Sequence, residues 1–326
     1  MRKLLKKMLY FLLFIGLLLG GLFAYVTNPV LGSVPAFPGA LEVDTNQLRA
    51  DVEFLCAVDP PRNFYNPSSL DDCAAYLSKR LKKMGYEPEE QVYTVKGHDY
   101  RNVLAYYGPE DGERLVIGAH YDVHDDQPGA DDNASAVAGL LEIARLLQEQ
   151  KPKLNFRIDL VLYTLEEPPA FRSTAMGSYV HAQSLKKAGL TVKGMICLEM
   201  IGYFSDAPKS QEYPAGIMKA AYPTTGNFIA VVGPTGQLGF TRKVKKGMMS
   251  ACGVDVVSIN APKSIPGIDF SDHQNYWDEG WDAVMITDTS FYRNKNYHQK
   301  TDTPDSLDYS RMGEVVKGVY AAAVGL

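Results

Sequence analysis

The stretch RLVIGAHYDVHDDQPGADDNASAVAGL, residues 114–140, contains the pattern that decides the fold. Its first part, residues 114–119, is a short apolar run that indicates a buried strand, and residues 135–147 have the apolar spacing of a helix. Strand-like and helix-like segments alternate in the same way toward the C-terminus. Such alternation is typical of a parallel sheet covered by helices on both faces. We therefore predict an α/β fold of three layers (αβα) with a mostly parallel central sheet.

The other predicted elements surround this unit. Two helices and a hairpin around Gly97 precede it, and a helix from about Met312 ends the chain. The remaining helices are predicted at residues 46–55, 69–84, 176–188 and 241–251. The remaining strands are predicted at residues 91–95, 102–107, 158–165, 195–200, 228–232, 254–259 and 283–287. A single domain of residues 45–326 accommodates all of them.

The first 26 residues differ in kind from this domain. Residues 8–26 carry no charge and, as a helix, would cover about 28 Å, close to the ~30 Å hydrocarbon core of a bilayer. Four basic residues precede the run and would keep the N-terminus cytoplasmic, which places the rest of the chain outside. A cleaved signal peptide, which would leave a secreted or periplasmic protein, is the alternative. Residues 27–44, rich in proline and glycine, are predicted to be a linker.

Charge and cysteine content narrow the function classes. The net charge of −5 gives no support for nucleic-acid binding, for which a basic stripe is expected. The four cysteines include no C-x-x-C pair, so a structural zinc knuckle is not expected. In an oxidising compartment Cys56 and Cys73 would be able to pair, and the sequence leaves that open.

Histidine and carboxylate side chains follow several of the predicted strands. His120 and Asp122 come directly after the first central strand, and an acidic loop, Gly129-Ala130-Asp131-Asp132-Asn133, leads into the next helix. Residues of the same types lie at the ends of later predicted strands or after them: these are Glu166-Glu167, Glu199 and His298. Ligands of parallel sheets bind at the carboxyl ends of the strands. Imidazole and carboxylate groups without thiolates are typical ligands of catalytic zinc, so the sequence predicts a metal site there.

These segments carry a family resemblance. Residues 120–140, the block Glu166-Glu167-Pro168-Pro169 and residues 297–307 resemble metallopeptidase family 28. That family comprises co-catalytic zinc exopeptidases, including leucyl-type aminopeptidases, glutamate carboxypeptidase and glutaminyl cyclases. The resemblance extends from about residue 45 to the end and implies two Zn²⁺ ions per subunit.

The resemblance also implies a role for each residue. His120 and Glu199 would bind one ion, Glu167 and His298 would bind the other, and Asp131 would bridge the two. Glu199 stands where many members of the family have aspartate. The resemblance further implies that Glu166 would be the general base and that Asp122 would orient His120. A cis peptide bond between Asp131 and Asp132 is expected as well.

A second cluster, at residues 271–277, is expected near the substrate. The resemblance places Asp272 and His273 at the pocket, although the same residues suit an ordinary helix start. Tyr203 and Tyr297 suggest an apolar pocket. Arg293 would be able to meet a substrate carboxylate in a carboxypeptidase, although a lone arginine in a loop is more often structural.

The sequence therefore predicts a metal-dependent exopeptidase, with an aminopeptidase acting on N-terminal residues of peptides as the leading hypothesis. A carboxypeptidase or dipeptidase on the same site, a glutaminyl cyclase and a non-catalytic binding relative are the alternatives. The predicted partners are peptide substrates and, through the N-terminal helix, a membrane.

Overall fold

The computed structural model describes residues 2–326, whose strands form a single eight-stranded sheet. The strands are β1 (Glu89–Val95), β2 (His98–Tyr107), β3 (Arg114–His120), β4 (Arg157–Tyr163), β5 (Val192–Leu198), β6 (Phe228–Pro234), β7 (Asp255–Ala261) and β8 (Ala283–Thr287). The α-helices are α1 (Arg2–Thr27), α2 (Thr45–Cys56), α3 (Pro67–Lys83), α4 (Ala136–Gln150), α5 (Gly177–Lys187), α6 (Leu238–Met249), α7 (His273–Asp278) and α8 (Tyr309–Val324).

The strand order places one group of strand ends side by side. The order across the sheet is β1-β2-β4-β3-β5-β8-β6-β7, and β4, β3, β5 and β8 run parallel to their neighbours within this central group. The antiparallel pairs are β1 with β2, β2 with β4, and β6 with β8, so the sheet is mixed. The carboxyl ends of the four central strands therefore meet at one edge of the sheet.

Helices cover both faces of the sheet, and the predicted three-layer architecture is confirmed. Successive residues of a strand point to opposite faces. Ile117 and Ile196 accordingly pack in the layer shared with α4 and α8, whereas Val116 and Met195 pack in the opposite layer, with residues of α5 and α7. Strands buried on both faces explain why the central strands have nearly unbroken apolar sequences.

The predicted elements are present, with ends that differ by a few residues. The β1–β2 hairpin turns at residues 96 and 97, where Gly97 has a φ of 84°, a value that glycine adopts without steric cost. Residues 130–135 form an irregular helical turn before α4 rather than its first regular turn. This turn holds the acidic loop.

Helix α1 is exposed over most of its length. Among the described residues it is the one helix long and apolar enough to cross a membrane, and none of its most apolar stretch is buried. Residues 28–44 follow it as an extended segment without helix or strand. Phe37 from this segment packs edge-on against Tyr320 of α8, with ring centroids 5.9 Å apart.

All four cysteines are free thiols, so no disulfide joins Cys56 and Cys73. Burial raises the pKa of both thiols, to about 12 for Cys56 and about 11 for Cys73. Thiols with such values are largely protonated at neutral pH and behave as small apolar groups.

Two glycines of α6 test the packing of this helix against α8. A Cβ on Gly247 would lie 2.5 Å from Cα of Ala322, whereas a Cβ on Gly239 would meet nothing within 4 Å. We expect Gly247→Ala to destabilise the protein by about 1–3 kcal/mol through overpacking. Gly239→Ala, its control, should be neutral or stabilising by up to about 1 kcal/mol. Urea denaturation of both variants measures the difference, and equal stabilities would contradict close α6–α8 packing.

Candidate metal centre

The edge formed by the central strand ends gathers the predicted ligand residues. His120 ends β3, Glu166 and Glu167 follow β4, and Glu199 follows β5 directly. His298 comes from the loop after β8. Residues that lie far apart in sequence thus face one another because their strands are parallel and adjacent.

The ligand-type atoms form two groups that share Asp132. In the first group Nε2 of His120 lies 3.5 Å from Oδ1 of Asp132 and 3.3 Å from Oε2 of Glu199. In the second group Nε2 of His298 lies 3.2 Å from Oδ2 of Asp132 and 3.2 Å from Oε1 of Glu167. Asp132 therefore directs one carboxylate oxygen toward each group.

These distances fit tetrahedral zinc. Ligands at the usual zinc bond lengths of about 2.0–2.1 Å are separated from one another by about 3.3 Å along a tetrahedral edge. The ligand atoms within each group lie within 4.8 Å of one another. Oδ2 of Asp132 is buried and accepts no hydrogen bond, which is costly unless a cation or another donor compensates it. The residues of each group therefore fit a zinc ion, and Asp132 belongs to both groups.

The prediction that Asp131 occupies the shared position is wrong, because the structure places Asp132 there. Asp131 points away from both histidines: its Oδ1 accepts a hydrogen bond from the N–H of Gly202 and its Oδ2 accepts one from Nδ2 of Asn294. Adjacent side chains of a non-helical segment point in different directions, and Asp132 has φ −103° and ψ 89°. Only one of the two aspartates is therefore able to reach the cluster.

The expected cis peptide bond between Asp131 and Asp132 is also wrong by one residue. The cis bond lies between Asp132 and Asn133. The side chain of Asn133 then links the acidic loop to the end of β5, since it donates to the carbonyl of Leu198 and accepts from the N–H of Met200.

Asp122 contacts the ring of His120 and the backbone of both glutamates after β4. Its Oδ1 lies 3.4 Å from Nδ1 of His120, the ring nitrogen on the side away from the cluster. Its two oxygens also accept hydrogen bonds from the N–H groups of Glu166 and Glu167, each at 3.0 Å. Histidine ligands of metals commonly have such a carboxylate behind them. One buried carboxylate thus holds the backbone of both glutamates and the ring of His120.

Asp302 is a functional residue that the sequence did not single out. Its carboxylate is buried and accepts hydrogen bonds from the N–H groups of Asp131 and Asp132, at 3.0–3.2 Å. Its own N–H donates to the carbonyl of Gln299, next to His298. It therefore ties the acidic loop to the loop that carries the second histidine. An aspartate four residues after a candidate histidine ligand was the available signal.

Ser271 holds the longer side chain at position 199. Its hydroxyl donates a hydrogen bond of 2.6 Å to Oε2 of Glu199. The same hydroxyl lies 3.2 Å from the thiol of Cys197, two residues earlier on β5. A glutamate has one more rotatable bond than an aspartate, and this contact fixes where its carboxylate points.

Three residues with left-handed backbone lie beside or within the cluster. Leu165, Met200 and His298 have φ values of 59°, 52° and 56°, which residues with a side chain adopt at a cost. Each lies at or directly next to a candidate ligand or base. The sharp turns they make direct the glutamates and His298 toward one point.

Burial and mutual charge shift the pKa values in the cluster. Burial raises the pKa of Glu166 well above its ordinary value, although His120 opposes the shift. Burial and Asp132 raise the pKa of Glu167 to about 8. Burial alone would lower the pKa of His298, but Asp132 and Glu167 raise it to about 10. Carboxylates outnumber imidazoles here, and divalent cations would relieve their repulsion.

An apolar cavity opens beside the cluster. It encloses about 800 Å³, including its mouth, and Glu199 forms part of its wall. The other wall residues are mostly aromatic or aliphatic and include Tyr213, Met218, Tyr222, Phe228, Val257, Ile259, Phe270, Met285, Phe291, Tyr292 and Tyr297. Tyr297 also stacks on His298, with ring centroids 3.8 Å apart. Of the predicted pocket residues, Tyr297 lies in this wall.

The other predicted pocket residues, Tyr203, Asp272, His273 and Arg293, lie outside the wall of this cavity. His273 is buried and contacts the carbonyl of Ile268, and Asp272 is buried at the start of α7. Arg293 is 2% exposed and donates to Oε1 of Gln211 and to the carbonyl of Tyr203. These side chains support the loops around the cavity. The sequence showed polar and aromatic residues near the site but not which way they point.

Comparison with known proteins adds a family match and two relatives. The sequence profile of Peptidase family M28 matches residues 102–323. "Uncharacterized protein YfbL" of Escherichia coli (strain K12) is 47% identical over 300 residues, which cover 90% of this chain and 91% of the relative. "Leucine aminopeptidase 1" of Pyrenophora teres f. teres (strain 0-1) is 23% identical over 318 residues, covering 93% of this chain and 75% of the relative.

Solved structures share the fold. The LapA aminopeptidase of Legionella pneumophila superposes with a TM-score of 0.68 at 20% identity, covering 87% of this chain and 72% of that chain. A glutaminyl cyclase of Porphyromonas gingivalis superposes with a TM-score of 0.65 at 21% identity, covering 87% of this chain and 99% of that chain. The same architecture therefore occurs in proteins with two different names and activities.

Substitution of each aspartate in the acidic loop tests which of the two belongs to both ligand groups. Asp132→Asn should lower the zinc content below two ions per chain, because an amide offers one neutral oxygen where the carboxylate offers two anionic ones. Asp131→Asn, the matched control, should keep both ions, since its side chain faces Gly202 and Asn294. Elemental analysis after dialysis against a weak chelator measures both. Loss of zinc from Asp131→Asn alone would restore Asp131 as the bridge.

Proposed function

This chain belongs to peptidase family M28, and we propose that it is a zinc-dependent aminopeptidase that removes N-terminal residues from peptides. The observation that carries the proposal is the pair of ligand groups joined by Asp132, with an apolar cavity whose wall includes Glu199. The cluster supports hydrolysis, and the cavity supports binding of one apolar side chain next to the bond to be cut.

The proposed ligands divide between the two groups. His120 and Glu199 would hold one zinc ion, Glu167 and His298 would hold the other, and Asp132 would contact both. Ions bound in such a pair supply Lewis acidity to the peptide carbonyl and to the attacking water. Asp122 and Asp302 would keep the ligands in place through the hydrogen bonds described above.

Glu166 is the proposed general base. Its Oε2 lies 3.9 Å from Nε2 of His120, so its carboxylate faces the cluster without belonging to either ligand group. In the reaction Glu166 takes a proton from the attacking water and transfers it to the nitrogen of the departing peptide. The carbonyl carbon gains the water oxygen, the C–N bond breaks, and the products are a free amino acid and a peptide with a new N-terminal amine.

Two observations favour an aminopeptidase over a carboxypeptidase. A carboxypeptidase needs a cation to meet the C-terminal carboxylate of its substrate, and Arg293 was the candidate. Arg293 is buried and its guanidinium bonds to Gln211 and Tyr203. The aligned relative from Pyrenophora teres f. teres also carries the name of a leucine aminopeptidase.

A glutaminyl cyclase is the second candidate, because solved cyclases share the fold. The presence of two complete ligand groups favours hydrolysis, which uses a pair of ions to activate water. A cyclase would instead convert peptides that begin with glutamine and release ammonia.

We also propose that the protein is a single-pass membrane protein with its catalytic domain, residues 45–326, outside the cytoplasm. The length and composition of α1 and the four basic residues before its apolar stretch support this arrangement. Residues 27–44 would connect the two parts.

Peptides blocked at one end separate the candidate activities. We expect the purified full-length chain to hydrolyse a leucine-initiated peptide with a free amine and an amidated C-terminus. It should not cleave the same peptide after N-acetylation, since the blocked end no longer fits beside the cluster. A zinc chelator should abolish the activity, and added zinc should restore it. Chromatography of the products measures each reaction.

Three results would contradict the proposed aminopeptidase activity. Cleavage of an N-acetylated leucine peptide that carries a free C-terminal carboxylate would indicate a carboxypeptidase. Cyclisation of a glutamine-initiated peptide without hydrolysis of the leucine peptide would indicate a glutaminyl cyclase. Tight substrate binding without turnover of any peptide would indicate a non-catalytic relative.

The neighbouring glutamates should respond differently to the same substitution. Glu166→Gln keeps the shape of the side chain but removes its basicity, so turnover should fall by roughly 10²–10⁴-fold while both zinc ions remain. Glu167→Gln removes a charged ligand, so zinc content should fall and excess zinc should restore part of the activity. Elemental analysis and turnover of the leucine peptide measure both effects. Loss of zinc from Glu166→Gln with full retention in Glu167→Gln would reverse the two roles.

A further inference from the structure

The end of α1 is bound by the body of the protein. Apart from Ile15, the large apolar residues from Leu4 to Phe23 are more than half exposed, yet Asn28, directly after the helix, is 0% exposed. Asn28 has a φ of 46°, and its N–H donates to the carbonyl of Ala24, so it terminates the helix in the left-handed conformation that asparagine tolerates well. Pro29 follows and prevents the helix from continuing.

The side chain of Asn28 makes three hydrogen bonds to residues more than 200 positions away. Its Nδ2 donates to the carbonyl of Leu238 at 2.8 Å and to Oδ1 of Asn260 at 3.1 Å. Its Oδ1 accepts from Nε of Arg242 at 2.7 Å. A helix cap alone needs none of these contacts, so this asparagine serves a second purpose.

The last carbonyl groups of α1 are also paired. The carbonyl of Thr27 accepts a hydrogen bond of 2.7 Å from the hydroxyl of Ser258. Nζ of Lys245 lies 3.4 Å from the same oxygen and 3.5 Å from the carbonyl oxygen of Asn28. Two cations, Lys245 and Arg242, thus face the C-terminal end of the helix, where the helix dipole is negative.

The segment after Asn28 continues along the body rather than away from it. The N–H of Phe37 donates to the carbonyl of Ser250, and the N–H of Asp44 donates to Oε1 of Glu142 on α4. The apolar stretch of α1 ends at Val26, two residues before the buried asparagine. A bilayer surrounding α1 would therefore reach the body with no free spacer between them.

We propose that Asn28 and the carbonyl of Thr27 occupy a polar socket formed by Leu238, Arg242, Lys245, Ser258 and Asn260. The socket keeps α1 in the mature protein and seats the catalytic body directly on the outer surface of a lipid bilayer. This inference rests on the proposed membrane anchorage but not on the proposed reaction. A signal peptide removed near its apolar stretch would leave the socket without the groups that match it.

The socket and the apolar cavity share strand β7. The hydroxyl of Ser258 meets the carbonyl of Thr27, and the side chain of Asn260 meets Thr241 of α6, while residues 257–259 of the same strand line the cavity. One strand therefore borders both the cavity and the end of α1. Seating α1 therefore fixes the cavity close to the membrane surface.

The test uses the full-length chain in vesicles of phosphatidylethanolamine and phosphatidylglycerol. Asn28→Gly keeps the left-handed backbone but removes the three side-chain hydrogen bonds, and Arg242→Ala removes one of them. Asn46→Ala, at an exposed position of α2, is the control. Proteinase K releases the catalytic body once residues 27–44 detach from it, and gel analysis of the supernatant gives the release rate. We expect release about tenfold faster or more for Asn28→Gly, a smaller increase for Arg242→Ala and no change for Asn46→Ala.

Two results would overturn the proposal. One is equal release of the wild type, Asn28→Gly and Arg242→Ala, which would mean that the socket does not hold the anchor. The other is a mature chain, sequenced from native membranes, that begins after residue 28. Hydrolysis of the leucine peptide is measured on every variant and should stay unchanged, so failure of the proposed reaction is separated from failure of the socket.

Discussion

The structure depends on the position of one carboxylate, that of Asp132. Each of its oxygens faces a different histidine, and each histidine faces a further glutamate, so a single side chain connects both halves of the cluster. Burying this much negative charge opposes folding unless cations or donors compensate it. The surrounding fold can be understood as the arrangement that holds these groups together in spite of their repulsion.

Two buried carboxylates hold the loops of the cluster in place through hydrogen bonds from backbone N–H groups. Asp302 binds the N–H groups at the start of the acidic loop, and Asp122 binds the N–H groups of the two glutamates after β4. The parallel strands bring these loops to one edge, and the carboxylates set their fine positions. The stacking of Tyr297 on His298 adds a wall shared by the cluster and the cavity. The candidate ligands and the cavity wall are thereby built from the same loops.

The position of α1 likewise depends on polar groups that are paired by distant parts of the chain. Its apolar surface is compatible with lipid, but its last residues carry polar groups that water or protein must satisfy. The body provides the partners through α6 and β7, one of the two edge strands of the sheet. Helix α1 and the ligand cluster thus lie at different parts of the sheet, joined through the strands that enclose the cavity.

The sequence by itself determined the layers, nearly all the elements and the identity of most of the residues in the cluster. Apolar periodicity records burial, and His120, Glu167, Glu199 and His298 follow segments whose pattern reveals their strands. Only the tertiary structure decided between Asp131 and Asp132, because neighbouring residues share every local signal and differ only in the direction of their side chains. The roles of Asp302, Ser271 and Asn28 were likewise decided by partners far away in the chain. Local sequence specifies which elements form, whereas the contacts of a buried polar group depend on which distant loops the fold brings to it.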